Sequence, residues 1–184
     1  MNAPIRYFAS TRLSGDFNDY LLEYMRERFL PRDAFLLKAG EVCHNLYFVE
    51  SGLLRCYYYQ EDKEISSRFV QEGEICWSAQ SFISRQKGIE YIQALKHSYV
   101  VALSFEHIQC ICQDFPLFVT MKQQILEAAL IEQEQRQHAM WMQRSDRKLA
   151  WFTRRFPGLL EKGMGRHIAS YLGITEVMLS RLLH

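Results

Sequence analysis

Glu176, Val177, Ser180 and Arg181 fall at i, i+1, i+4 and i+5 in the run GRHIASYLGITEVMLSRLLH. On a helix this spacing sets all four on one side. Their chemistry is that of base-pair readout. A guanidinium at Arg181 can bridge guanine O6 and N7, or hold a phosphate. A carboxylate at Glu176 can accept from cytosine N4, and Val177 can meet a thymine methyl. Thr175 is a suitable N-cap, and Glu176 in the first turn suits the positive end of the helix dipole. Arg166 and His167, at the start of the preceding segment, are candidates for phosphate contact, as are Arg154 and Arg155. Each of these arginines could equally be a solvated surface charge.

The elements that must position this set are two short helices. Ile168, Leu172, Ile174, Leu179 and Leu182 are apolar where two steeply crossed helices need a shared core. Ala169 is small where the second helix passes over the first. Gly173 falls at the corner, where a residue without Cβ takes φ > 0. This is the layout of a helix-turn-helix, whose second helix lies in the DNA major groove. The expected second helix runs from Thr175 to about Leu183 and leaves no room for a flanking β-hairpin wing.

Charge supports the same reading. The net charge of the 184 residues is +1, but it is unevenly spread. Residues 1–143 carry 14 basic and 18 acidic side chains; residues 144–184 carry 8 and 3. A basic tail on an acidic body suits a polyanionic partner. No apolar run is long enough for a membrane span, and the start has no long apolar stretch of a secretory signal, so a cytoplasmic protein is expected. The 5 cysteines are irregularly spaced and read as reduced thiols. The histidines lack metal-ligand spacing, and there is no nucleophile–base pair, phosphate loop or cupin-type histidine set. Neither an enzyme nor a cofactor is expected.

Along the chain, Phe17, Tyr20, Leu21, Tyr24 and Met25 predict an amphipathic helix over residues 16–28, ended before Pro31. From about 34 to 103, short runs rich in aromatic and β-branched residues alternate with turn residues. These are Ala34–Leu37, Leu46–Val49, Leu53–Tyr59, Ile65–Val70, Tyr91–Leu95 and Tyr99–Leu103. Such spacing predicts an antiparallel sandwich or barrel. Ser104 caps a short helix to about Gln113, and a long helix follows from Pro116 to about Gln143. Met121, Ile125, Ala128, Glu132, Gln135, Ala139 and Met142 step along it by four and three, the spacing of a coiled-coil seam, which implies a symmetric homodimer. Packing on its own domain is the other use of such a helix. A further short helix carries Leu149, Trp151, Phe152 and Phe156.

The order of parts resembles the family of the catabolite activator protein and the fumarate–nitrate regulator (Crp/Fnr). The resemblance covers nearly the whole chain. Lys38-Ala39-Gly40-Glu41, Leu46-Tyr47-Phe48-Val49 and Ser51-Gly52 are similar to the opening turns and strands of its cyclic-nucleotide-binding fold. Gly73-Glu74 matches a later turn, and Ile168–Arg181 matches its helix-turn-helix, most like the subgroup common in Bacteroidetes. The resemblance implies an α+β architecture: an antiparallel β-roll sensor domain over 1–115, a long dimerisation helix over 116–143, and a small helix-turn-helix domain over 144–184.

Departures from the family pattern bear on ligand choice. Members that bind cyclic nucleotides carry a Gly-Glu-Leu step and, some ten residues on, Arg-Ser or Arg-Thr. Here Ser78 stands in place of the Glu, and Ile89-Glu90 in place of the Arg-Ser. A carboxylate beside a phosphate repels it, so tight binding of cyclic AMP or cyclic GMP is not expected. Trp77, Ser78, Gln80, Ser81 and Arg85, with Gln124, Glu127 and Ile131 from the long helix, are candidates to line a pocket for an unknown small effector. A pocket filled by Trp77 and Phe82 is the alternative. No cysteine precedes Cys43, which excludes the family's N-terminal iron–sulfur site, and His44 and His97 are weak haem ligands. Glu176-Val177-Met178 replaces the Pro-Glu or Arg-Glu and second Thr frequent in relatives, so the operator is expected to differ.

The expected function is a homodimeric, sequence-specific transcriptional regulator reading a pseudo-palindromic duplex, with RNA polymerase as the further partner the resemblance implies. The competing reading is an effector-sensing or protein-interaction module with a degenerate helix-turn-helix.

Overall fold

A computed structural model describes residues 15–160 and 163–184. Helix α1 (Gly15–Tyr24) is followed by eight strands: β1 (Arg26–Leu30), β2 (Phe35–Leu37), β3 (Asn45–Ser51), β4 (Leu53–Gln60), β5 (Lys63–Gln71), β6 (Ile75–Cys76), β7 (Tyr91–Ala94) and β8 (Ser98–Ser104). A short helix α2 (Ala79–Ser84) lies between β6 and β7. Then come α3 (Phe105–Asp114), α4 (Pro116–Met140), α5 (Ser145–Arg155), α6 (Gly165–Leu172) and α7 (Glu176–Leu183).

The strands form two four-stranded antiparallel sheets, ordered β1-β8-β3-β6 and β2-β7-β4-β5. They close as a roll over a core to which both sheets contribute, with Val49 and Leu103 from one and Leu54 and Ile92 from the other. Phe17 and Leu21 of α1 complete this core. Gly52 joins β3 to β4 at φ +103°, where an added Cβ would lie 2.2 Å from Ser98 Oγ. Only glycine fits that crossing.

Three expectations are corrected. The first helix stops at Tyr24 rather than 28. Arg26–Leu30 instead pairs with β8, from Arg26 opposite Ala102 to Leu30 opposite Ser98. Four of its five side chains are exposed, so it carries no alternating signature, and the backbone pairing to β8 decides its conformation. The long helix ends at Met140, three residues short of 143.

The seam expected on α4 does not form an open stripe. Met121 is buried in the roll core and Ile125 packs against it. Glu132 receives Arg155, and Ala139 has no exposed surface. Met142 lies beyond the helix and is half-buried; only Ala128 and Gln135 are exposed. The four-and-three periodicity is real, and Met121, Ile125 and Glu132 use it to pack on the chain's own body. The outward face carries Leu117, Val119, Leu130 and Ile131, and exposed Trp141 follows the helix end.

A second core joins the C-terminal helices to the roll. Phe152, Phe156, Ile168, Tyr171, Leu172 and Leu179 share it with Leu53, Phe69 and Leu95. The Phe69 ring meets the rings of Phe152, Phe156 and Tyr171 at 5.2–6.0 Å between centroids. Among the described residues no helix is long and apolar enough to cross a membrane.

Candidate functional site

The two terminal helices are built as their sequence demands. Ile168, Ala169 and Leu172 of α6 are buried, and Leu179 is the buried anchor of α7. Gly173 ends α6 at φ +63°, ψ 38°, with its N–H on the Ala169 and Ser170 carbonyls. That left-handed corner turns the chain within three residues. The Thr175 hydroxyl accepts from the Met178 N–H at 3.1 Å and caps α7. Lys148 Nζ donates to the Leu172 carbonyl at 3.2 Å, satisfying the end of α6.

With Leu179 anchored, Glu176, Val177, Ser180 and Arg181 are all exposed, and so is Thr175. The structure thus brings these five together on one open surface. Arg166 and Arg154 are also exposed.

His167 and Arg155 are corrections. His167 is only 8% exposed, and its Nδ1 has no hydrogen-bond partner. Burial, reinforced by the Arg55 and Arg166 charges, pushes its pKa down to about 4. A neutral, enclosed imidazole is no phosphate ligand; it lies on the face of α6 turned towards the roll. Arg155 is held at 2.7 Å by Glu74 and also by Glu132. It ties α5 to the β5–β6 turn and to α4.

Sequence spacing gave no sign of what α6 rests on. Strand β5 is an edge strand, and α6 covers it. Arg55, 1% exposed, donates from Nε to Ser66 Oγ at 2.9 Å and from Nη1 to Glu64 at 2.7 Å, and lies 4.2 Å over the Tyr57 ring. Partial burial would raise the Glu64 carboxyl, but this guanidinium holds it below its ordinary value. Arg136 of α4 donates to the Ser66 carbonyl at 3.1 Å and lies 4.7 Å over Tyr171.

A cavity of about 410 Å³ opens between β5, the segment from Trp77 to Ile83, and α4. Of the expected lining residues, Trp77 and Gln80 face it. Ser78 is buried behind it and donates to Glu90 at 2.6 Å. Five others are corrections. Ser81 is spent inside the wall, accepting from the Cys43 N–H and donating to the Gln86 carbonyl. Arg85 turns away to the Cys43 carbonyl and lies 4.3 Å over Phe105. Gln124 and Glu127 are exposed and do not line the cavity, and Ile131 is 54% exposed. From α4 the lining is Leu126, Ala129, Leu130 and Gln133. Outside α4 the residues missed are Ser67, Arg68, Ala79, Ile83 and Glu90. A cation beside Phe69-Val70 within a strand was the available signal for Arg68. Its Nη2 bonds the Trp77 carbonyl and approaches Cys56 Sγ at 3.7 Å. Glu90 accepts from Ser67 at 3.0 Å. Trp77 and Phe82 pack at 5.5 Å but leave the cavity open.

Comparison with known proteins places this architecture. Residues 27–115 match the cyclic nucleotide-binding domain family. No curated protein sequence matches the chain. Among solved structures, a variant of CooA from Carboxydothermus hydrogenoformans is 21% identical with a TM-score of 0.70, over 100% of this chain and 83% of that one. The c-di-GMP-responsive global regulator CLP of Xanthomonas campestris is 16% identical with a TM-score of 0.72, over 92% and 90%. A candidate transcriptional regulator of the crp/fnr family from Eubacterium rectale is 17% identical with a TM-score of 0.76, over 97% and 86%. Residues 27–115 are thus similar to the cyclic nucleotide-binding domain, and the chain shares its fold with these solved structures.

Proposed function

We propose that this chain is a homodimeric, sequence-specific DNA-binding transcriptional regulator of the Crp/Fnr family. Its reading head is a helix-turn-helix made of α6 and α7, within a C-terminal unit over 144–184. The roll over 1–115 is its sensor, and α4 with its following turn, 116–143, connects them. The observation that carries this reading is the surface of α7. Glu176, Val177, Ser180 and Arg181 are all exposed while Leu179 on the opposite face is buried. A surface helix with no such role needs no cluster of bidentate donor, acceptor and methyl-contacting groups on one side. Arg166 and Arg154 flank it as phosphate contacts.

The dimer forms through the outward face of α4. Leu117, Val119 and Ile131 are 44–54% exposed there and Trp141, just past the helix end, is 70% exposed, an apolar set that a second copy would cover. Two reading heads related by a two-fold axis recognise half-sites about one helical turn apart. The effector site is the cavity beside Trp77. A ligand there touches both the segment after β6 and α4, so it can shift the balance between arrangements of the helical unit. Cyclic AMP and cyclic GMP are not its ligands, because the Glu90 carboxylate lines the cavity.

Selection of bound fragments from random duplex DNA by the purified protein, followed by footprinting, tests the reading. Enrichment of a two-fold-symmetric sequence is expected. Equal binding to all duplexes would overturn it.

A further inference from the structure

A second cavity, of about 300 Å³, lies on the other side of Trp77, between the roll and helices α3 and α4. Its walls are apolar: Leu46 and Phe48 from β3, Phe118 and Ile125 from α4. The polar side chains lining it are Gln109 on α3 and Lys122 on α4. Gln109 is exposed and marks the mouth, and Lys122 is half-buried. Among the described residues Lys122 makes no ion pair, whereas Glu132 on the same helix holds Arg155.

An apolar space of this size among tightly packed side chains forgoes dispersion contacts that a ligand would restore. A lone ammonium at its edge sets the chemistry of that ligand. The cavity rewards an apolar tail, and Lys122 with Gln109 rewards an anionic or hydrogen-bond-accepting head. We propose that this cavity is a binding site for an amphipathic monocarboxylate, its hydrocarbon part against Phe48 and Phe118 and its carboxylate on Lys122 Nζ. The site adjoins the cavity that holds Arg68 and Glu90 and shares Trp77, Ile83 and Leu126 with it; the proposal stands whether or not the protein binds DNA.

Calorimetric titration of the full chain with decanoate, decanol and decylamine tests it. Decanoate binds best and decylamine worst. Lys122→Met weakens decanoate by about tenfold or more, the scale of a lost charge-assisted hydrogen bond, and changes decanol by less than about twofold. Lys122→Glu inverts the order, favouring decylamine; an unchanged melting temperature shows that each variant keeps the fold. Decanol binding as tightly as decanoate to the unaltered chain would overturn the proposal. So would decanoate binding that falls in Arg68→Met but not in Lys122→Met, which would place the ligand in the neighbouring cavity.

Discussion

The Ser170 hydroxyl on α6 donates to the Glu64 carbonyl on β5 at 2.6 Å, across 106 residues of chain. The same oxygen accepts from the Ser66 N–H at 3.0 Å. One small side chain thus occupies two main-chain groups that an edge strand would otherwise present to water or to another strand. Arg136 takes the Ser66 carbonyl, so three consecutive edge groups are answered from the helices. The helical unit is fastened to the roll by backbone recognition as well as by the Phe69 cluster.

Ser170→Ala removes both bonds and leaves two edge groups without their partner. A stability loss of about 1–3 kcal/mol is expected from the size of such bonds. Urea denaturation measures it, and amide exchange locates it. The Ser66 amide should lose protection while amides in β8 keep theirs. Unchanged exchange at Ser66 would show that the docking does not depend on this hydroxyl.

His167 predicts a pH dependence with a definite sign. Its folded value of about 4 lies below the ordinary 6.5. Between these values the unfolded chain binds the proton and the folded one does not. Stability is therefore full above pH 6.5, declines as pH falls towards 4, and declines no further below it on this account. The slope is at most about 1.4 kcal/mol per pH unit. His167→Gln, which cannot titrate, should flatten that part of the profile. Equal slopes for the two proteins between pH 7 and 5 would contradict the buried neutral imidazole.

Much of this was legible in the sequence, for local reasons. The strands from Phe35 to Ser104 announce themselves because alternation and turn residues are properties of adjacent positions. Ser104 caps α3, accepting from the His107 N–H, as a serine ahead of a helix should. Gly173 and Thr175 mark the corner and start of α7 in the same way. What was not legible depends on partners distant in sequence. Arg26–Leu30 becomes a strand because β8 offers an edge. The face of α4 that holds Met121 and Ile125 cannot be told from a dimer seam without knowing that the roll lies beneath it. His167 looked like a phosphate ligand because nothing local reveals that β4 and β5 place Arg55 and Glu64 beside it.

Arg181 should carry base recognition. Arg181→Ala is expected to cost about 1–3 kcal/mol in affinity for the selected duplex and to relax preference at one base position in each half-site. Arg154→Ala, at a position proposed to contact phosphate, should weaken all sequences alike and reduce the salt dependence. Competition binding at two salt concentrations separates the two behaviours. Unaltered affinity and preference in Arg181→Ala would instead favour a degenerate reading head on a sensing module.

Cyclic AMP should give no binding isotherm at concentrations that saturate family members built to hold it. The Glu90 carboxylate lines the cavity, and the Ser78 hydroxyl is committed to Glu90. Arg68 supplies a cation, but its Nη2 is already engaged by the Trp77 carbonyl. Glu90→Gln removes the repulsion and is expected to permit weak binding of the cyclic phosphate. Tight binding by the unaltered protein would show that Arg68 outweighs Glu90.

The two faces of α4 make opposite predictions. Ile131 is 54% exposed, so Ile131→Glu should leave the fold intact and split the dimer. Sedimentation should then report a monomer with an unchanged melting temperature at low concentration, and affinity for the two-fold duplex should fall steeply because both half-sites no longer engage one particle. Met121 is 6% exposed against the roll, and Met121→Glu would bury a charge in a core that offers it no partner. That variant is expected to unfold rather than dissociate. Were Ile131→Glu to remain dimeric while Met121→Ala became a folded monomer, the interface would lie on the face that here contacts the roll, and α4 would have to detach from the roll to form it.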